Sequence, residues 1–324
     1  MSGYADTAPT ADGATGNGRA TVAGTVGFIG LGRMGTAMAT NLAAAGWRVI
    51  AYARHADRMD ELAALGLEPK IDLSDLFDCE IVISMLPDDA AIREVVLGRQ
   101  QLGLDGLARG LMPGAIHLSM GTISSQVASQ VAAEHANYGE GYVAAPVFGN
   151  PDAAKARELF ILAAGAPVDV DRCQPIFNIL GQQTFVIGAD PGAANLLKLA
   201  GNMLTATTLE MLGEVMALLR KRGLEPQPFL DILTKTMFGS RVHRIYGNKI
   251  AAQGYSGGFL LPLALKDVRL ALAEAEAAAV PMPSVSVVRD RLIAGIARGH
   301  AGLDWSALGL IAAEEAGLRP DRSP

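Results

Sequence analysis

Residues 25–52 read TVGFIGLGRMGTAMATNLAAAGWRVIAY, and the fold is decided there. Residues 25–30 are a short apolar run ending in glycine, the pattern of a buried strand. A GxGxxG follows as Gly30, Leu31, Gly32, Arg33, Met34 and Gly35. Residues 34–45 are rich in Ala, Met and Leu and are closed by Gly46, which predicts a helix. Residues 47–52 predict a second apolar strand. A GxGxxG between a strand and a helix, inside a βαβ unit of about thirty residues, is the fingerprint of a dinucleotide-binding turn. The first glycine makes the tight turn, the second lets the backbone approach a pyrophosphate, and the third lets helix and strand pack closely. The helix N-terminus then offers N–H groups and a positive dipole end to the phosphates.

The second strand runs out at Arg54 and His55. An NAD site usually has a carboxylate here, accepting from the ribose 2′-OH, whereas a cation suits the 2′-phosphate of NADP. Arg54, with His55 and Arg58 beside it, therefore predicts NADP(H) over NAD(H). Residues 80–86 form another buried strand ending at Pro87, and Asp88 and Asp89 are expected to cap the helix that runs through Val96. Further strands are expected over residues 114–119, 142–147, 159–164 and 184–187, with a helix starting within residues 122–125. Strands alternating with helices imply a mostly parallel, doubly wound α/β sheet. Ligands bind such sheets beyond the carboxyl ends of the strands. Met85, Leu86 and Pro87, then residues 119–122 and 146–150, all fall at such ends and are expected to line one cleft.

Composition narrows the rest. The chain has 324 residues, half of them hydrophobic, and a formal charge of −6. That length suggests two domains. Its acidic balance argues against nonspecific nucleic-acid binding. Cys79 and Cys173 have no CxxC spacing and the five histidines form no HxxxH pair, so no metal site is expected. No apolar run is long and uncharged enough to span a bilayer. Residues 1–24 are rich in Gly, Ala, Thr and Asp without an apolar h-region, and read as a flexible tail rather than a secretory signal. A cytoplasmic location is the expectation.

Strand signals stop after Ile187, and residues 192–222, GAANLLKLAGNMLTATTLEMLGEVMALLRKR, read as one helix roughly 45 Å long. Asn195, Lys198, Asn202 and Thr205 recur at helical spacing on one face near its start. Burial among Leu196, Leu197 and Leu199 is expected to push the Lys198 pKa down, toward the range useful for proton transfer. Helices are expected over residues 226–237, 240–253, 263–279, 285–298 and 305–316, with Lys266 and Asp267 opening the third of them. The division expected is a tail (1–24), a Rossmann-like NADP-binding domain (25–190) and an all-helical substrate and dimerisation domain (191–324) joined by the long helix.

With these elements in place, residues 27–35, with Met38-Ala39 and Asn41-Leu42, resemble the N-terminal signature of the β-hydroxyacid dehydrogenases. That family includes 3-hydroxyisobutyrate dehydrogenase and the glyoxylate and succinic semialdehyde reductases. Ala145-Pro146-Val147 resembles its substrate loop, Lys198 with Asn202 its catalytic helix, and Leu265-Lys266-Asp267 with Leu270-Ala271-Leu272 its C-terminal cofactor motif. The resemblance covers nearly everything from Thr25 onward and implies a lysine that gives or takes the proton and a dimer built by the C-terminal helices. Two loops depart from the family pattern. Its substrate loop usually continues Ser-Gly-Gly and holds a carboxylate; here those positions are Phe148, Gly149 and Asn150. Its preceding loop often carries adjacent hydroxyls; here the pair is Gly121-Thr122.

The expected function is an NADPH-dependent oxidoreductase moving hydride between the nicotinamide and a small carbonyl or hydroxy substrate. Lys198 would be the general acid, Asn202 its orienting partner, Thr122, Phe148, Gly149 and Asn150 the substrate contacts, and Lys266 and Asp267 the closure over the nicotinamide. The alternatives are an imine reductase, which shares this architecture but commonly replaces the lysine, and a non-catalytic dinucleotide-binding module. A homodimer is expected, because the long helix is apolar on several faces.

Overall fold

The computed structural model describes residues 24–98 and 105–318. The expected tail therefore lies outside the described residues, Gly24 excepted. The first βαβ unit is β1 (Thr25–Ile29), α1 (Arg33–Ala44) and β2 (Arg48–Tyr52), with β1 and β2 parallel. There follow α2 (Met59–Ala64), β3 (Glu68–Lys70), β4 (Ile81–Ser84), α3 (Asp89–Leu97), α4 (Leu107–Gly110), β5 (Ile116–Ser119), α5 (Ser125–Asn137) and β6 (Gly141–Ala144). Strands β3-β2-β1-β4-β5-β6 are adjacent in that order and all parallel. The order reverses between β1 and β4, and ligands bind at such a switch point.

The strand expected over residues 142–147 is two. Pro146, which has no N–H to give a ladder, separates β6 from β7 (Val147–Phe148). After the short α6 (Pro151–Lys155), β8 (Leu159–Ala164) turns back antiparallel to both β6 and β7. Helix α7 (Pro167–Leu180) leads to β9 (Gly181–Gly188), which lies parallel to β8 and is longer than the four residues expected. No expectation covered α7, whose pattern is interrupted by Pro175. Helices cover both faces of the sheet. Phe28, Met38 and Phe177 build the core on one side, and Ile29, Val96 and Val131 on the other.

One polar chain crosses that second core. The Ser84 hydroxyl and His117 Nε2 are 2.8 Å apart, His117 Nδ1 and His135 Nε2 are 2.8 Å apart, and His135 Nδ1 meets the Glu140 carboxylate. All four side chains are buried. Burial, then the His135 beside it, pushes the His117 pKa well below the usual histidine range, so its ring is neutral. The chain fixes β4, β5 and α5 to one another, and it leaves the second Glu140 carboxylate oxygen buried without a hydrogen bond among the described residues.

The helical half begins with α8 (Pro191–Lys221), capped by the Asp190 carboxylate on the Gly192 N–H. It continues as α9 (Pro226–Lys235), α10 (Arg241–Ala251), α11 (Leu261–Ala277), α12 (Pro283–Ala297) and α13 (Leu308–Glu315). A third core packs around α8, with Leu199, Leu209, Met216, Leu261 and Ile311 at its centre. Helices α8 and α13 cross backbone to backbone: a Cβ on Gly213 would lie 2.7 Å from the Gly309 Cα.

Candidate active site

The turn after β1 has the geometry its glycines predict. Gly30 has φ +90°, and a Cβ there would lie 2.3 Å from the Met85 carbonyl oxygen. A Cβ on Gly35 would lie 2.0 Å from the Gly30 carbonyl oxygen, so α1 can sit this close to the strand only without a side chain. Gly32 faces open space and leaves the start of α1 without a side-chain cap. The first-turn N–H groups of α1 are thus left for an anionic ligand. Leu31 is buried and its carbonyl accepts from the Arg58 guanidinium, which also pairs with Glu61 at 3.0 Å. Arg58 is therefore already neutralised. Arg54 and His55 are exposed past the end of β2, and Arg54 makes no ion pair among the described residues. Met85 and Leu86 back the turn, Pro87 is exposed at its rim, and Met34 packs into the core. Arg33 reaches out of the turn to the Gly258 carbonyl at 3.2 Å, so the loop before α11 faces the Gly-rich turn across the cleft. A cavity of about 590 Å³ lies on the outer flank of α1, sharing Leu31, Gly32 and Arg33 with the turn; Lys198 does not line it.

Lys198 lies about two turns into α8 and is only 7% exposed, which excludes a lysine snorkelling to solvent. Its ammonium donates to Asn202 Oδ1 at 2.8 Å, one helical turn on. The Asn202 amide donates in turn to Asp267 Oδ2 at 2.6 Å. Asp267 is itself buried and pairs with Lys266 at 2.7 Å, and Lys266 Nζ also donates to the Thr122 carbonyl. Burial lowers the Lys198 pKa from 10.5 to about 8; the Asp267 carboxylate opposes the shift and Lys266 adds to it. The apolar neighbours responsible are not those expected. Leu196 and Leu197 are exposed, and of the three named leucines Leu199 alone is buried. Lys198 is covered instead by Phe148, whose ring centroid is 4.4 Å from Nζ. Phe148 fits there because α8 presents Gly201, where a Cβ would come within 2.3 Å of the ring.

Lys266 and Asp267 do not open their helix, as expected, but stand in its second turn, and Asp267 is no solvated surface acid. In the loop after β5, a Cβ on Gly121 would lie 2.4 Å from the Leu86 carbonyl oxygen, so a side chain in place of the glycine is blocked. Thr122 has its carbonyl taken by Lys266 while its hydroxyl has no partner among the described residues. Asp88 caps α3 as expected, accepting from the Ala91 N–H; Asp89 instead accepts from the Ser124 N–H and hydroxyl. Gly149 has φ +147°, and Asn150 spends its carbonyl oxygen capping α6 through the Ala153 N–H, leaving only its NH₂ for a ligand. Several ties escaped the sequence reading. Glu274 of α11 accepts from the Ser125 N–H and hydroxyl, and with Lys266 it clamps the loop after β5 to the helical half. Nothing local in the sequence pairs residues so far apart.

The comparisons with known proteins cover the same two halves. Residues 25–188 match the model of the NAD-binding domain of 6-phosphogluconate dehydrogenase. Residues 192–320 match that of the NAD-binding domain of NADP-dependent 3-hydroxyisobutyrate dehydrogenase. An uncharacterised oxidoreductase of Bacillus subtilis, YfjR, is 36% identical over 288 residues, 87% of this chain and 98% of its own. The 2-hydroxy-3-oxopropionate reductase of Escherichia coli is 30% identical over 285 residues, 87% of this chain and 95% of its own. Among solved structures, the Mycobacterium tuberculosis 3-hydroxyisobutyrate dehydrogenase with L-serine superposes with a TM-score of 0.77 at 26% identity, covering 89% of this chain and 98% of that one. A Streptomyces aurantiacus imine reductase superposes with a TM-score of 0.59 at 21% identity, over 88% of this chain and 98% of that one, and shows the shared fold alone. With both halves matched in order and relatives aligned almost end to end, the chain belongs to the β-hydroxyacid dehydrogenase family and is an NAD(P)-dependent oxidoreductase.

Proposed function

We propose that this chain is an NADPH-dependent reductase of a small carbonyl compound, with Lys198 as the general acid. The observation that carries the reading is the buried ammonium of Lys198, held by Asn202 and Asp267 with its pKa lowered to about 8. The division that goes with it is a cofactor domain over residues 25–190 and a helical domain from residue 191. The residues suited to hold the dinucleotide are Gly30, Gly32 and the start of α1 for the pyrophosphate, and Arg54 with His55 for the 2′-phosphate. When bound, the nicotinamide supplies a hydride to the carbonyl carbon. The electron pair of the C=O bond moves onto oxygen, and Lys198 delivers a proton there, becoming a neutral amine that solvent reprotonates. Asn202 keeps the ammonium aimed, since its carbonyl oxygen can only accept and an ammonium can only donate. The unpaired Thr122 hydroxyl suits the polar part of the substrate.

Phe148 favours a second reading, an imine reductase, because it presents an apolar ring where the resemblance leads one to expect a hydroxyl. The two readings separate in one variant. Lys198→Met is expected to keep NADPH affinity and lose about 10² to 10⁴ in turnover on a carbonyl substrate, the usual worth of a general acid. A pre-protonated cyclic iminium needs no acid, so the same variant should lose much less there. Near-normal carbonyl turnover in a folded Lys198→Met enzyme rules out the assignment.

The cofactor preference rests on Arg54 standing unpaired where an NAD site has a carboxylate. Titration of the unmodified protein should give a lower Kd for NADPH than for NADH, and Arg54→Asp should narrow or reverse the gap. Equal constants before the substitution contradict the preference.

A homodimer is the proposed assembly. Leu197, Leu204, Met211 and Leu218 recur every seventh residue along α8 and are 46%, 73%, 65% and 61% exposed. An apolar seam of that period and exposure is the pattern helices bury against another helix. Light scattering should return the mass of two chains at micromolar concentration; a monomer mass contradicts it.

A further inference from the structure

Phe148 is not alone on its face of the sheet. It lies directly opposite Phe160 in the antiparallel β7–β8 pair. Directly opposed residues point to the same face with Cβ atoms about 5 Å apart. The two side chains therefore stand on one face of the sheet, and each carries a cation. Lys198 Nζ stands 4.4 Å from the Phe148 centroid, and Arg241 Cζ stands 5.3 Å from the Phe160 centroid.

The two cations are not alike. Lys198 is buried and committed to Asn202. Arg241, the first residue of α10, is exposed and has neither a hydrogen bond nor an ion pair among the described residues. Three other cations around the cleft are spoken for: Lys266 by Asp267 and the Thr122 carbonyl, Arg33 by the Gly258 carbonyl, and Arg58 by Glu61 and the Leu31 carbonyl; Arg54, unpaired, stands past the end of β2 on the cofactor side. In the loop over residues 148–150 the Phe148 side chain has no donor, and the Asn150 side chain keeps its neutral NH₂ donors while its amide oxygen caps α6, so the loop's side chains bring no charge to an anion.

We propose that Arg241 binds a carboxylate at the far end of the substrate, which is a carbonyl compound whose carbonyl and carboxylate are separated by an apolar spacer lying on Phe148 and Phe160. The carbonyl end is then at Lys198, and the spacer is about as long as a benzene ring, the separation of the two opposed side chains. A guanidinium presents its N–H groups as a planar fork that matches a carboxylate bidentately, and a ring beneath it holds that fork in place without competing for the donors. This specificity rests on the reductase reading of the same site, and on Lys198 being the end where hydride arrives.

The test uses 4-formylbenzoate and its methyl ester with NADPH, which differ only in the charge at the far end. The parent enzyme should favour the acid over the ester in kcat/KM. Arg241→Gln should raise KM for the acid about ten- to a hundredfold, the worth of a charge-assisted hydrogen bond, with kcat little changed. It should leave the ester within about twofold. Arg241→Lys should recover part of the loss. The ester also controls for misfolding, because a damaged enzyme loses both substrates. Equal loss on acid and ester, or no loss on the acid, overturns the proposal. Calorimetric titration of benzoate into the enzyme–NADPH complex is scored independently of turnover. Weaker benzoate binding in Arg241→Gln supports the anion site, while no binding to the parent or an unchanged Kd overturns it. An enzyme that binds NADPH and benzoate through Arg241 yet reduces neither aldehyde refutes the reductase reading and leaves the anion site standing.

Discussion

The candidate site hangs on the side-chain amide of Asn202. An ammonium has no acceptor and a carboxylate has no donor, so an amide placed between them has one orientation. Its oxygen takes Lys198 and its nitrogen gives to Asp267. That single residue links α8 to α11, and Asp267 extends the link through Lys266 to the Thr122 carbonyl in the loop after β5. The lysine, the helical half and the cofactor side of the cleft are thereby held in one hydrogen-bonded path. Burial drives the Lys198 pKa down, and Asp267, kept one residue away by the amide, restrains the shift instead of abolishing it. A direct Lys198–Asp267 contact would favour the charged form more strongly and leave a weaker acid.

Two glycines decide what else fits. Gly201 opens α8 to the Phe148 ring, and Gly121 lets the loop after β5 lie against the Leu86 carbonyl. Both absences of a side chain reshape the cleft in the same sense. They remove donors at one end and leave a ring against the Lys198 ammonium. Phe160, opposite Phe148 in the β7–β8 pair, stands on the same face of the sheet. Substrate choice within a shared fold is a matter of such contacts.

Much of this was legible in the chain because some residue choices have a single physical explanation. Gly30 and Gly35 stand where backbone carbonyls exclude any Cβ, and that constraint shows in sequence as GxGxxG. Lys198 and Asn202 at a spacing of four were readable as neighbours on a helix. Asp267 was legible as a motif, but not as the group the Asn202 amide would find 65 positions away. The leucines flanking Lys198 were misread because a helix apolar on several faces does not reveal which face is covered from within the chain. Leu196 and Leu197 lie on the open side, and the ring against the lysine comes from β7. The break between β6 and β7 was written in Pro146, whereas α7, with a proline inside it, gave no clear periodicity.

The most direct test is the pH dependence of carbonyl reduction at saturating NADPH. With Lys198 as the acid, the charged form is the active one. Its pKa is lowered to about 8, so kcat/KM should be level on the acidic side and fall about tenfold per pH unit above about pH 8. Alcohol oxidation, which needs the neutral amine, should show the mirror image and rise through the same region. A reduction rate that stays level from about pH 6 to about pH 10, with the fold intact, contradicts Lys198 as the proton donor.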